Sequence, residues 1–328
     1  MPHNIASFLP AWFWHRPRLM LAGVALLAVL AQPAFACTAV ATGGALGTVT
    51  TQQVKGGSAV TGSGNFSYTC APVVLSALAG TPSLKGTLQA SLTGLTLKSG
   101  GFSIPYQVYS NAGMTTVYSG GLLAVNLSGA SVISLLNGAG GQVPVYISTT
   151  AGANIPAGTY TDTLQITWTA ANICEGLVNL AGLCLGVLNN TTVVSSLVVT
   201  LTVSNDCVIT APPVAFGSAP LVSGFPTVSQ SISLLCSRNM TYTVGMGSGN
   251  YPLNGRRQMG NGVNRLAYDL YKADNTVWGS LTTARASGPA AADGLTVQTI
   301  PYTARIYQDQ GTPAAGVYTD SVVVDVSF

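Results

Sequence analysis

The chain has 328 residues, of which only 6% are charged: 12 Lys and Arg against 9 Asp and Glu. An ordinary soluble domain carries about 25%, so this surface must be kept wet by hydroxyls and amides. A net charge of +3 lacks the basic footprint of a nucleic-acid binder, and 48% hydrophobic residues are enough to build cores rather than leave a disordered chain.

Residues 1–36 read as a secretory signal. His15, Arg16 and Arg18 form a basic start, Leu19 to Leu30 is an apolar run, and Ala34-Phe35-Ala36 is a small-residue cleavage site. The run is too short to span a bilayer, which takes about 20 residues. Both histidines, His3 and His15, lie in this leader. The exported chain from Cys37 onward therefore has none, which excludes Ser-His-Asp and Cys-His catalysis and His-ligated zinc. No cofactor, metal or enzymatic activity is expected.

Six cysteines in an exported chain read as a disulfide set. Cys37 and Cys70 are 33 apart, Cys174 and Cys184 ten apart, and Cys207 and Cys236 29 apart. Sequential pairing is the simplest of several connectivities. A lipid on Cys37 would orphan Cys70.

The two long-spaced pairs open two copies of one pattern. Ile104 to Tyr109 is answered by Leu266 to Tyr271, and Ala157-Gly158-Thr159-Tyr160-Thr161-Asp162 by Ala315-Gly316-Val317-Tyr318-Thr319-Asp320. The offset drifts steadily, from 170 at Cys37/Cys207 through 166 and 162 to 158 at Asp162/Asp320. Asn205-Asp206 is the expected hinge, giving units over 37–204 and 205–328.

Both copies alternate with period two. Tyr160, Leu164, Ile166 and Trp168 share one face of a strand; Tyr318, Val322, Val324, Val326 and Phe328 do the same near the C-terminus. Short strands between Gly, Pro, Asn and Ser predict an all-β protein of two tandem immunoglobulin-like β-sandwiches. Copy one continues past its Asp162 strand, through the Cys174/Cys184 segment, into a further alternating strand, Val193 to Val203. Copy two stops at Phe328, so its sandwich is expected to lack its last strand. A missing strand leaves backbone groups and an apolar groove open to a strand from another chain. Val322, Val324, Val326 and Phe328 are expected to line that groove.

The second copy resembles a spore coat protein U domain. The resemblance rests on the Cys207/Cys236 pair, Phe216-Gly217, Arg257-Gln258-Met259, Tyr268-Asp269-Leu270-Tyr271, Trp278-Gly279 and the closing Ala315 to Asp320 element. Copy one is a divergent relative without the Arg and Trp-Gly elements. Two such domains behind a leader resemble the tip adhesins of archaic chaperone–usher pili. That resemblance implies three partners: a periplasmic chaperone that lends a strand, an outer-membrane usher, and a next pilin whose N-terminal extension replaces the loan. With Cys37 as the mature start, no donor extension precedes the first domain, and the subunit is expected at the distal end. The resemblance also leaves open a structural spore-coat or surface-layer role, or a lectin-like adhesin.

Loops of such a sandwich cluster at its two ends. Three apolar segments of copy one are expected at the end away from the hinge: Val74, Leu75 and Leu78 after Cys70; Leu122, Leu123 and Val125 in the middle; and Leu177, Val178, Leu180, Leu183 and Leu185 inside the Cys174/Cys184 segment. In the third, Gly176, Gly182 and Gly186 are expected to break any strand. Apolar loops side by side make an interaction surface, here for a hydrophobic abiotic or host surface. Charge supports the division: residues 37–205 carry only Lys55, Lys85, Lys98, Asp162 and Glu175, whereas 207–328 carry seven basic and six acidic residues. Asp162 and Asp320 are expected to accept hydrogen bonds rather than act as acids, Trp278 to pack, and Arg256, Arg257 and Arg265 to partner Asp269, Asp274 or the usher and chaperone.

Overall fold

The computed structural model describes residues 37–70, 81–129, 131–132, 141–180, 183–289 and 292–328, with backbone alone at 174–180 and 183–187. The predicted leader lies outside the described residues. The first half contains β1 (Cys37–Gly43), β2 (Ala45–Thr50), helix α1 (Thr51–Gly56), β3 (Thr61–Cys70), β4 (Ser83–Leu88), β5 (Thr96–Ser99) and β6 (Phe102–Tyr109). It continues with β7 (Leu123–Ser128), β8 (Gly141–Thr149), β9 (Gly158–Ala171), β10 (Ile173–Leu180), β11 (Leu183–Asn189) and β12 (Thr192–Ser204). The second half contains β13 (Cys207–Thr210), β14 (Val228–Cys236), β15 (Thr243–Met246), β16 (Arg257–Asn261), β17 (Asn264–Tyr271), β18 (Ala286–Ser287), β19 (Gln298–Ile306) and β20 (Val324–Ser327). Among the described residues, no helix is long and apolar enough to cross a membrane.

Two separate cores follow from the alternation. In the first, Tyr160, Leu164, Ile166 and Trp168 of β9 are buried while Thr161, Thr163, Gln165 and Thr169 face out. Tyr68 packs on Trp168 with ring centroids 5.7 Å apart. The sheet runs β1-β3-β8-β6-β5-β9-β12-β2, with β4 between β7 and β9. In the second half, a sheet β13-β14-β19-β17-β16 faces a smaller sheet β18-β15-β20. Trp278 is fully buried there, its indole N–H donating to the Val244 carbonyl at 2.8 Å.

One turn decides how the first domain closes. β1 pairs with β3, but β2, directly after it, pairs with β12. The switch happens at Gly43 and Gly44, with φ of 85° and 89°. A Cβ at Gly44 would stand 2.4 Å from the Val198 carbonyl oxygen, and one at Gly43 2.7 Å from that of Ser63. Only glycine permits both the left-handed backbone and the approach.

Cys37 is paired with Cys70 across β1 and β3, and Cys207 with Cys236 across β13 and β14, as the sequential scheme expects. The side chains of Cys174 and Cys184 lie outside the described residues. The Cys37–Cys70 link closes a separation of 33 residues. Replacing both cysteines with serine should cost roughly 3–4 kcal/mol from the loop-entropy relation, read as a lower urea midpoint of the purified protein.

The two halves are fastened rather than merely linked. Within the second unit, next to the hinge, Asp206 N–H donates to the Ser237 hydroxyl at 2.7 Å, and Ser237 N–H returns to the Asp206 carbonyl at 2.9 Å. Helix α1 adds contacts: the Thr51 and Ser237 hydroxyls are hydrogen-bonded, and the Lys55 ammonium donates to the Gly294 carbonyl. Asn154 donates to the Asp293 carbonyl, and the Arg238 guanidinium lies over the Phe102 ring.

Candidate functional site: an open cleft and an apolar far end

In the first domain, β12 lies between β9, to which it is antiparallel, and β2, to which it is parallel. Its Leu197, Val199, Leu201 and Val203 are buried in the core. In the second domain the position matching β12 is vacant among the described residues. β20 pairs with β15 on one side only. The chain from 211 to 216, which corresponds to β2, forms no strand. A cleft of about 360 Å³ opens between that segment and residues 318–324. Its walls include Val214 and Phe216 on one side and Tyr318 and Val322 on the other; Ile232, Met246 and Leu270 form part of its floor.

This vacancy shortens the strands around it. β9 runs for 14 residues, whereas its counterpart β20 has four. The intervening chain is held by single bridges: Gly260 and Thr319 exchange N–H···O bonds of 2.8 and 3.1 Å, and Gly247 N–H donates to the Val323 carbonyl at 2.8 Å. Of the four expected groove residues, Val322 and Val324 line the cleft. Val326 is set opposite Val244 in β15 and packs against the core away from the cleft. Phe328 is 64% exposed. It lies past Ser327, which is paired with Thr243 at the start of β15, so no cross-strand neighbour covers it.

A polar latch repeats in both domains. Tyr106 Oη donates to Asp162 Oδ2 at 2.8 Å, and Tyr268 Oη to Asp320 Oδ2 at 2.8 Å. Asp320 Oδ1 also accepts the Asn250 and Ser321 N–H groups, at 2.7 and 2.8 Å. The carboxylates are therefore hydrogen-bond acceptors, as expected. Burial first, then the bond to and the charge of Asp320, push the Tyr268 hydroxyl far above its usual range; Tyr106 is shifted the same way by burial and Asp162. Both phenols stay protonated donors at physiological pH.

Below the cleft floor, Arg257 and Asp269 form an ion pair of 2.6 Å with both side chains buried. Arg257 also donates to the carbonyls of Gly247, Met246 and Trp278 at 2.8, 2.9 and 2.6 Å. Tyr307 Oη donates to Asp269 Oδ2 at 2.9 Å. The network ties β15, β16, β17 and the Trp278 turn together.

At the far end of the first domain, the ends of the strands converge. Tyr68 is opposite Gly141, Ser83 opposite both Ala171 and Ser128, and Thr192 opposite Thr169. Asn189 Nδ2 reaches the Tyr68 hydroxyl, and Gly129 N–H donates to the Pro82 carbonyl. The Cys174/Cys184 segment therefore springs from the end opposite α1 and the second domain. Val74, Leu75 and Leu78 lie outside the described residues.

Three expectations here need correction. The Cys174/Cys184 segment is not a loop broken by glycines. It is a β-hairpin, β10–β11, in which Gly176 and Gly186 face each other and the register shifts around Leu177. Two glycines directly opposite remove cross-strand packing but leave the backbone ladder intact. Val178, Leu180, Leu183 and Leu185 belong to this hairpin, and their side chains, like that of Leu177, are not described. Val125 is in the core at 9% exposure, because β7 pairs with β4 and turns that parity inward. Leu122 and Leu123 are 41% and 40% exposed, but Leu123 is set opposite Thr87, partway along the strands rather than at their tips.

The sequence reading missed a further apolar set. Val194 and Val198, on the outward face of β12, are 52% and 53% exposed, and Val40 of β1 is 45% exposed. The signal was present, since Val193-Val194 and Leu197-Val198-Val199 put apolar residues on both parities of one strand.

The architecture defines a protein of two tandem β-sandwich units, the second open along one strand position. The Spore Coat Protein U domain model matches residues 24–167 and again 193–325, and the chain belongs to that family. Among solved structures, it is similar to the CsuC–CsuE chaperone–tip adhesion subunit pre-assembly complex from archaic chaperone–usher Csu pili of Acinetobacter baumannii. That likeness is 26% identical, covers 89% of this chain and 100% of the other, and has a TM-score of 0.54. The CupB6 tip adhesin from Pseudomonas aeruginosa is a more distant match, 14% identical over 89% of this chain and 93% of that one, with a TM-score of 0.33. No curated relative matches the chain in sequence.

Proposed function

We propose that this protein is the adhesive tip subunit of a pilus built by a periplasmic chaperone and an outer-membrane usher. The family and the likeness to a Csu tip subunit over 89% of the chain support a pilus-associated adhesin. The open cleft carries the assembly part of the reading. A strand-sized apolar groove beside a one-sided β20 calls for a strand from another chain, first from the chaperone and then from the next pilin.

Adhesion falls to the first domain. Its far end carries the apolar hairpin β10–β11 on a unit with only five charged residues over 37–205. Contact with a hydrophobic abiotic or host surface then removes apolar area from water and desolvates few ions. Leu180, Leu183 and Leu185 belong to that hairpin. Replacing the three with serine should leave piliation normal and reduce biofilm on plastic to near the level of bald cells. Full adhesion by normally piliated cells carrying the triple variant would rule the hairpin out as the contact.

A further inference from the structure

Helix α1 spends half of its residues on the other domain. It has only six, and isolated helices shorter than about 12–15 residues are marginal in water. Its order is secured at both ends: Thr50 and Gln53 form a reciprocal capping box, and Gly57 closes the last turn with φ of 110°. Val54 packs into the first core. Thr51 is buried with its hydroxyl bonded to that of Ser237 in the second domain. Gln52 Nε2 donates to the Leu235 carbonyl at 3.3 Å, and the Lys55 ammonium donates to that of Gly294. The repeat offset of 166–170 carries α1 onto residues 217–226, where the second domain has only a 3-10 turn, Val222–Gly224.

The receiving turn is shaped for this contact. Asp293 Oδ1 accepts the N–H groups of Leu295 and Thr296 at 2.7 and 2.6 Å, and its Oδ2 accepts the Thr296 hydroxyl at 2.6 Å. Those bonds, led by the one from the Thr296 hydroxyl, hold the pKa of Asp293 down to about 2, so it stays an ionised acceptor at neutral pH. Gly294 follows with φ of 78°. A Cβ there would stand 2.4 Å from Asn154 Oδ1 and 3.2 Å from Arg238, so only glycine admits the first domain this closely. Asn154 Nδ2 donates to the Asp293 carbonyl at 3.0 Å. Arg238 lies 5.2 Å over the centroid of the Phe102 ring and shares a parallel β-bridge with Pro156.

Three elements of the first domain, α1, the 154–156 segment and the start of β6, thus hold two turns of the second, around 237 and 294. A single contact beside a linker leaves rotation about that contact, whereas three separate ones oppose both bending and twisting. Domains joined by polar interfaces ordinarily move relative to one another. We propose that α1 is a docking element which, with the two segments beside it, locks the domains into one rigid body, so that a load on either is passed to the other without bending at Asn205-Asp206. This goes beyond the adhesin reading and depends on neither the cleft nor the far end.

The test uses the full chain purified from the periplasm, with nitroxide labels on Thr163→Cys and Thr299→Cys, exposed positions on strands of the two domains. Double electron–electron resonance should give one narrow distance distribution. Gln52→Ala with Lys55→Ala and Asn154→Ala should broaden it at least about twofold, as the linker becomes a hinge. Amide exchange over 292–298 should rise at least about tenfold, because local opening there no longer breaks cross-domain bonds. Exchange in β8 and β9 should stay as in the parent, which shows that the first domain is folded. Lys55→Ala alone should move both quantities the same way by less, and Lys85→Ala with Lys98→Ala, away from the interface, should move neither. A broad distribution in the parent, or a triple variant that matches the parent in either quantity, would overturn the proposal.

Discussion

Replacing Asp269 with alanine is expected to unfold the second domain at physiological temperature, or to lower its stability by about 3–5 kcal/mol. Arg257 would remain buried, 4% exposed, with a full charge and only the carbonyls of Gly247, Met246 and Trp278 as partners. Carbonyl dipoles do not neutralise a guanidinium. Tyr307 would also lose the acceptor of its hydroxyl. Arg257→Ala should cost a similar amount, for it strands the carboxylate and opens a void under the cleft floor. The double replacement Arg257→Met with Asp269→Leu should recover most of the loss, since two apolar side chains of similar volume carry no desolvation penalty. Calorimetry of the protein in complex with its chaperone would check all three. The exposed Arg256–Asp309 pair is the control, and its removal should change stability by less than about 1 kcal/mol.

The second large effect belongs to two neighbouring residues. Val322 lines the cleft, whereas Val323, one step along, is 71% exposed on the other face. Val322→Asp should weaken capture of the chaperone and of the pilin strand by at least about 100-fold, because an unpaired carboxylate would face the apolar side of the incoming strand. Val323→Asp should bind both as the parent does. Pull-down of the tagged protein from periplasm, followed by counting of tip subunits on purified pili, distinguishes them. Equal binding by the two variants would place the captured strand somewhere other than the cleft.

Much of the fold can be read from the chain because its signals are local. Period-two alternation puts Tyr160, Leu164, Ile166 and Trp168 on one face, and they are buried. The repeated Tyr-Thr-Asp element leads to the duplicated Tyr106–Asp162 and Tyr268–Asp320 latches. The cysteine spacing anticipates the two described disulfides. Alternation does not say which strand lies beside which. Val326 and Phe328 share a parity with Val322, but it is the pairing with β15 that sets Val326 opposite Val244. Nor does alternation show that β7 lies beside β4, the pairing that turns Val125 into the core.

By itself, then, the sequence determined the duplication, the β character of both halves and the uneven distribution of charge. These are properties of composition and of residues a few positions apart. Only the tertiary structure decided that β12 closes the first domain against β2, which lies about 150 residues earlier in the chain. It also decided that Gly43 and Gly44 turn the chain toward it, and that Arg257 and Asp269 meet in the dark. Pairings of that kind depend on loop closure and on the room left by other strands, and a stretch of sequence does not carry that information until the whole sheet is assembled.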